Sequence, residues 1–168
     1  MKRRTLLAVG LGVGTLLALA GGTLALLRPG LQGGRLTPAG RELFAAVARG
    51  VLDGLLPADA AARERAVASH LKRLDDTIAG MPPSLQREID ELVTLLAAAP
   101  GRRALTGLGV DWAEADVADI QATLQRLRTS SLSLRQQVYH ALRNLTNGAY
   151  FADAGIWPAI GYPGPRPV

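Results

Sequence analysis

The side chains that could perform catalytic chemistry in this sequence are few and badly spaced for it. His70 and His140 are the only histidines, and neither has a partner at the spacing that metal-binding helices use. Both are expected beside the apolar stripe of a helix, at the edge of a core. The Gly-rich stretch 107–109 is too short for a phosphate-binding loop and follows no predicted strand, and no G-x-S-x-G nucleophile motif occurs.

Acidic side chains occur as two adjacent pairs and one run. Adjacent residues diverge around a helix, so each pair is expected to face solvent rather than to act as a general acid and base. The run lies where a helix is predicted to begin, and the helix dipole favours negative charge there without a calcium ion. These residues are Asp75-Asp76, Asp90-Glu91, and Asp111, Glu114, Asp116 and Asp119.

The sequence contains no cysteine, which excludes disulfides, thiol catalysis, cysteine-held iron–sulfur clusters and covalently attached haem in this chain. No metal-ligand pattern or cofactor motif is found either. We therefore expect a chain that is not an enzyme by itself, with no catalytic residue, no bound cofactor and no metal site of its own.

The net charge is +5, but Lys2, Arg3 and Arg4 supply three of the positive charges. The rest of the chain has 16 basic and 14 acidic residues, a net charge of +2. Basic and acidic residues alternate there, which indicates a solvated surface and not a nucleic-acid binder. A phosphate-binding face at Arg102-Arg103 or at Arg126 and Arg128 is the minor alternative.

The first 27 residues form a basic and then apolar segment. Residues 5–27 carry no charge and end at Arg28-Pro29, while Ala18-Leu19-Ala20 fits the small-x-small pattern that signal peptidase recognises. The segment resembles a twin-arginine export signal, which carries proteins across the membrane already folded. The residues that match this pattern are Arg3, Arg4, Leu6 and Leu7.

A single-pass membrane anchor is the alternative for this segment. At about 1.5 Å per residue, 23 helical residues reach roughly 34 Å, which is enough to span a bilayer. Positive charge before the span would leave the domain on the outer side of the inner membrane. Both interpretations predict a periplasmic domain, and whether the segment is cleaved stays open.

The body is predicted to be an all-α bundle of about five helices after a flexible Pro/Gly-rich linker, because apolar residues recur every three or four positions. Predicted helix starts are Thr37-Pro38, Asp59, Ser84, Asp111 and Ser133, and predicted ends are Pro57, Gly80, Pro100-Gly101 and, for the last helix, an end or kink at Asn147-Gly148. The first three stripes are Leu43, Val47, Val51, Leu55; Val67, Leu71, Leu74, Ile78; and Leu85, Ile89, Leu92, Leu96. The last two are Val117, Ile120, Leu124, Leu127; and Leu134, Val138, Leu142, Leu145.

The C-terminal tail is rich in aromatic residues, proline and glycine. Two explanations remain open: the tail packs over the bundle and seals it, or it is an arm that binds a partner through large rigid side chains. The candidate interface residues are Tyr150, Phe151, Trp157, Tyr162 and Pro163. The chain thus divides into a signal or anchor (1–27), a linker (28–36), a helical bundle (37–147) and an aromatic tail (148–168).

Three stretches of the chain resemble the small (gamma) subunit of membrane-associated flavin dehydrogenases, the gluconate 2-dehydrogenase subunit 3 group. The first is the twin-arginine start, 2–7 (KRRTLL). The second is the helix that opens at 36–38 (LTP) and runs to 55–59 (LLPAD). The third and most specific is the ending, 148–153 (GAYFAD) followed by 157–164 (WPAIGYPG).

This resemblance implies a non-catalytic accessory subunit that escorts, matures or anchors a FAD-dependent dehydrogenase of the GMC type. FAD and the substrate site are then expected on that large subunit, and a cytochrome c subunit often completes the complex. The twin-arginine translocase is the implied export partner. A stand-alone periplasmic or membrane-anchored helical domain, without a dehydrogenase partner, is the alternative function.

Overall fold

The computed structural model describes residues 28–164. Arg3, Arg4, Leu6, Leu7, Ala18 and Ala20 lie outside the described residues, so the export signal stays a prediction. Within 28–164, no helix is long and apolar enough to cross a membrane. The elements are β1 (Leu31–Gln32), β2 (Arg35–Leu36), α1 (Pro38–Val51), α2 (Ala60–Ala79), α3 (Pro83–Ala97), α4 (Ala99–Thr106), α5 (Val117–Arg128), α6 (Ser133–Phe151) and a 3₁₀ helix (Ala154–Ile160).

The predicted all-α class is confirmed, with six helices where the sequence predicted about five. The stripe predicted for α2 is buried in full, and most of the other stripe positions also lie in the core. Thr37 and Asp59 cap their helices as predicted, accepting hydrogen bonds from Gly40 N (3.4 Å) and Ala62 N (2.8 Å). The predictions that Ser84 caps α3 and that Ser133 caps α6 are wrong, because both residues lie inside the first turn of their helices.

Helix α1 lies at the centre of the bundle and contacts α2, α3, α5 and α6. Leu43, Phe44 and Val47 are completely buried on it. Two glycines let the neighbours approach closely. A Cβ added at Gly50 would collide with Ile120 of α5, and one at Gly40 would lie 2.7 Å from the carbonyl oxygen of Gly30. A wider side chain at either position would push the neighbouring element away from α1.

The predicted flexible linker, residues 28–36, is wrong, because residues 31–36 form a β-hairpin. Leu31 pairs with Leu36, and Gln32 with Arg35, in an antiparallel register. Gly33 and Gly34 form the turn with φ of +59° and +73°. This left-handed backbone is accessible to glycine and gives a two-residue turn that suits the twist of a hairpin.

Side chains from two helices hold the hairpin in place. The amide of Leu31 donates to the Asp90 carboxylate on α3 (2.7 Å), and that of Leu36 donates to Asp75 on α2 (2.8 Å). The amide of Gly30 donates to Thr94 Oγ1 (2.7 Å). The edges of so short a ladder would leave these N–H groups without partners, so the helices complete the hairpin's hydrogen bonding.

Asp75 is not the solvent-facing residue that its adjacency to Asp76 predicted. It is only 5% exposed and pairs with Arg41 of α1 (Nη1–Oδ2 2.6 Å) while it accepts from Leu36. Asp76 does face solvent and makes looser ion pairs with Arg35 and Lys72. One carboxylate therefore joins α1, α2 and the hairpin.

Two predicted helix ends, that of α1 and the one at Pro100-Gly101, differ from the structure. α1 ends at Val51 and not at Pro57, because Gly54 takes a left-handed turn (φ +81°) that leaves Leu55 at the surface. Pro100-Gly101 does not end a helix but begins α4. Proline is accepted in a first turn, and a Cβ at Gly101 would collide with the carbonyl of Leu95.

The last two helices also differ from their predicted limits. α5 is capped by Asp116, which accepts from Asp119 N (2.7 Å), and not by Asp111. α6 continues through Asn147-Gly148 to Phe151, because its final turn is packed against the rest of the bundle through the buried Ala149 and Tyr150. The bundle therefore extends beyond the predicted limit at residue 147.

We expect Asp75→Ala to lower the free energy of unfolding by about 2–3 kcal/mol, because it leaves the Leu36 amide and Arg41 without their charged partner. Asp76→Ala is the matched control and should cost less than about 1 kcal/mol, since its ion pairs are exposed. Urea denaturation of both variants measures the difference. Equal losses would contradict the role assigned to Asp75.

Candidate functional site

The aromatic tail is folded back against the bundle and is ordered by polar contacts at its start. Asp153 caps the 3₁₀ helix by accepting from Gly155 N (2.9 Å), and its other oxygen pairs with Arg73 of α2 (3.1 Å). Arg73 also donates to the carbonyl of Ala149 (3.2 Å). We refer to residues 152–164 as the C-terminal segment. Arg73, which the sequence analysis did not single out, fixes this segment to α2.

Tyr150 supports the C-terminal segment from below. Its side chain is only 5% exposed, clusters with Ala48 and Leu52 of α1, and its hydroxyl donates to the carbonyl of Leu55 (3.3 Å). Burial raises the pKa of this hydroxyl, so it stays protonated as a donor. Tyr150 therefore contributes little surface that a partner could touch.

The remaining candidate residues are more accessible. Phe151 and Trp157 are half-buried, and the Trp157 indole donates to the carbonyl of Phe151 (2.8 Å). Tyr162 lies edge-on to Trp157, with ring centroids 5.2 Å apart, and its amide donates to the Trp157 carbonyl. Pro163 is exposed. The structure thus brings the five predicted residues together, one beneath the surface and four at it.

Apolar side chains lie at the surface around this segment. Leu55 is 38% exposed, while Ile160 and Tyr162 are each 45% exposed. Beside them, a shallow groove of ≈ 300 Å³ runs between the α1–α2 turn, α2 and the 3₁₀ helix, with the Arg73–Asp153 pair at its edge. Three of the five large hydrophobic residues with substantial exposure in residues 28–164 therefore occur at this end of the bundle.

His70 is completely buried and is not merely at the edge of the core. Its ring lies edge-on to Tyr150, with centroids 6.1 Å apart, and neither ring nitrogen has a hydrogen-bond partner in the described part of the chain. Burial, together with the positive charge of Arg73, lowers the pKa of His70 to about 4. The imidazole is therefore neutral at pH 7. His140 is exposed beside Tyr139.

The other candidate residues are occupied by structural contacts. Arg102 is buried and pairs with Asp111 (2.6 Å), so the minor alternative of a phosphate-binding face at Arg102-Arg103 is wrong. Asp116 caps α5. Within residues 28–164, no group of three or more His, Asp or Glu side chains is arranged to hold a metal ion.

Comparisons of this chain with protein-family models, with curated proteins and with solved structures find no match.

We expect the stability of the protein to fall on acidification because of His70. In the unfolded chain its pKa returns to about 6.5, so only the unfolded state takes up a proton between about pH 6.5 and 4. The contribution of the neutral His70 to the free energy of unfolding is fully present above about pH 7.5. Roughly 2 kcal/mol of this contribution is lost by pH 5. Urea denaturation at both pH values measures this loss.

His70→Leu tests the assignment, because it removes the titrating group and keeps the site apolar. The fall in stability between pH 7.5 and 5 should then be smaller than in the wild type by roughly 2 kcal/mol. His140→Gln is the matched control and should retain the wild-type dependence. If the free energy of unfolding has the same pH dependence in the wild type and in His70→Leu, the loss of stability does not come from His70.

Proposed function

We propose that this chain is a non-catalytic accessory subunit that escorts, matures or anchors a FAD-dependent dehydrogenase of the GMC type in the periplasm. The observation that carries the proposal is the C-terminal segment, whose sequence resembles the closing motif of such subunits. The exposed Tyr162 of this segment lies edge-on to Trp157, whose indole nitrogen donates to the carbonyl of Phe151. FAD, the substrate site and any cytochrome c contact are assigned to the partner proteins.

The C-terminal segment is held in a fixed conformation, which supports a binding role. Asp153, Trp157 and Tyr162 are each held by a hydrogen bond or ion pair to the bundle or to the segment itself. A surface that is already ordered loses less conformational entropy when a partner binds. Aromatic side chains in partly buried positions are also the residues that contribute most often to binding hot spots.

The sealing role that the sequence left open is compatible with this proposal. Ile156 packs against the cluster of Ala48, Leu52 and Tyr150, while Ile160 and Tyr162 remain exposed. The inner side of the segment can therefore complete the bundle while its outer side contacts the partner. Exposed apolar area of this kind is typical of protein–protein contact sites.

We expect Trp157→Ala and Tyr162→Ala each to weaken association with the dehydrogenase subunit, Trp157→Ala by about 2 kcal/mol or more, because both remove aromatic contact area. Co-purification from cells that express both genes, followed by titration of the purified subunits, measures the loss. Leu132→Ala is the control, since Leu132 is 57% exposed but lies in the connection between α5 and α6. Wild-type affinity in both aromatic variants would show that the segment only seals the bundle.

A second prediction concerns the shared export signal. Replacing Arg3 and Arg4 with Lys should leave the partner, as well as this chain, in the cytoplasm, because twin-arginine signals depend on both guanidinium groups. Fractionation followed by immunodetection of both subunits measures this. Lys2→Arg is a suitable control, because it retains the two arginines. Normal periplasmic levels of the partner in the Arg3→Lys/Arg4→Lys strain would eliminate the escort role.

A stand-alone periplasmic or membrane-anchored helical domain remains the alternative. It predicts that no dehydrogenase subunit co-purifies with the wild-type chain, and that no oxidoreductase gene lies beside its own. Enzymatic activity of the purified single chain with an electron acceptor would instead argue against both of these functions.

A further inference from the structure

Contacts with α4 place the connection between α5 and α6 on the side where the chain enters the described domain. Arg126, near the end of α5, lies close to Gly107, just after α4, and Arg135, near the start of α6, donates to the carbonyl of Ala104 on α4 (3.0 Å). α4 begins at Ala99, shortly after α3 ends at Ala97, and Thr94 of α3 accepts from the amide of Gly30 (2.7 Å). The connection between α5 and α6 and the residues that precede the hairpin therefore both lie beside α4.

The side of the bundle formed by α4 and the connection between α5 and α6 carries positive charge that no acid of residues 28–164 pairs with. The basic surface consists of Arg103, Arg126, Arg128 and Arg135, and none of them takes part in an ion pair among those residues. Between Asp119 and Asp153 the sequence has four arginines and no acidic residue. An uncompensated cluster of this kind attracts anionic partners.

The arginines are oriented by neutral acceptors, which leaves their charge intact. Arg126 donates to Thr123 Oγ1 (2.8 Å) and Arg128 to Gln125 Oε1 (3.1 Å). Arg135 donates to the carbonyl of Ala104 at 3.0 Å, which joins the start of α6 to α4. Asp111, which follows α4, is already bound to the buried Arg102. The basic surface is thus a fixed feature of the fold.

An exposed leucine lies in the middle of this charge. Leu132 is 57% exposed, the highest value among the large hydrophobic residues of the described chain, and it occupies the connection between Arg128 and Arg135. Its neighbours, Ser130 and Ser131, are small and polar. An apolar tip flanked by arginines suits the interface of an anionic bilayer, where the side chain enters the headgroup region and the guanidinium groups meet phosphates.

The chain also enters the described structure on this side. Gly30 is buried against Val93 and is bound to Thr94 of α3, three residues before α3 ends at Ala97, close to α4. The 27 residues before Arg28 include the uncharged run 5–27. The chain therefore enters the described domain close to α4, on the side of the basic surface.

We propose that the basic surface, with Leu132 at its centre, binds the surface of an anionic phospholipid bilayer. The domain would then lie with α4 and the connection between α5 and α6 on the membrane, while the C-terminal segment makes its contacts with α2, α6 and the turn after α1. The inference requires no dehydrogenase partner, so lipid binding and subunit co-purification succeed or fail separately.

The test uses the full chain reconstituted with vesicles of phosphatidylglycerol and phosphatidylcholine, or of phosphatidylcholine alone. Because the chain has no cysteine, Ser131→Cys gives a single labelling site beside Leu132, and Ala154→Cys gives one in the C-terminal segment. We expect an environment-sensitive fluorophore at position 131, and not at 154, to be protected from aqueous iodide in anionic vesicles only. Protection should weaken as salt concentration rises.

Charge variants test whether the arginines of the basic surface are responsible for vesicle binding. Arg126→Gln/Arg128→Gln should lower the ratio of protected to unprotected label at position 131 roughly 30-fold, at about a fivefold loss per arginine. Arg65→Gln/Lys72→Gln removes the same charge from exposed positions on α2 and should change the ratio less than about twofold by the same reasoning. Leu132→Ser should also reduce protection.

Three results would overturn the proposal. One is a label at position 131 that is equally accessible in both kinds of vesicle, and another is equal protection at positions 131 and 154. The third is protection by duplex DNA that matches protection by anionic vesicles, which would assign the surface to nucleic acid instead.

Discussion

Helix α1 is packed on almost every side, and its width decides how closely the other elements can approach. Gly40 brings the backbone of Gly30 against its first turn, and Gly50 brings α5 against its last. Between them, Leu43, Phe44 and Val47 fill the core without any exposed area. In a chain without disulfides, this close packing must supply most of the stability, so the remaining helices are arranged by what fits around α1.

Charged side chains then fix two segments that the core leaves undetermined. Asp75 and Asp90 accept the hairpin amides that a two-residue ladder cannot satisfy. Arg73, two residues before Asp75 on α2, binds Asp153 and the carbonyl of Ala149. Each contact joins elements distant in sequence, which explains why residues outside the six helices are nevertheless part of the ordered domain.

The bundle offers two surfaces of different character. The side formed by α4 and the connection between α5 and α6 carries arginines that make no ion pair within residues 28–164. The C-terminal segment carries exposed aromatic and aliphatic side chains. Because different residues form the two surfaces, a membrane and a protein partner would not compete for the same side chains.

The sequence by itself was sufficient for five of the six helices of residues 28–164 and for most of the core. Apolar spacing is a local property, and the stripe Val67, Leu71, Leu74 and Ile78 is buried as a helix of that pattern must be. It also indicated that Phe151, Trp157 and Tyr162 belong to one cluster, because aromatic residues this close in sequence at the end of a helix must lie near one another.

Only the tertiary structure decided the roles of individual polar residues. Asp75 and Asp76 are identical and adjacent, as are Arg102 and Arg103, yet one of each pair is buried in an ion pair and the other is exposed. The hairpin, which glycine and charge made resemble a linker, depends on carboxylates 39 and 59 residues further along the chain. Burial and partner choice depend on contacts between distant segments, and local sequence patterns contain no information about those contacts.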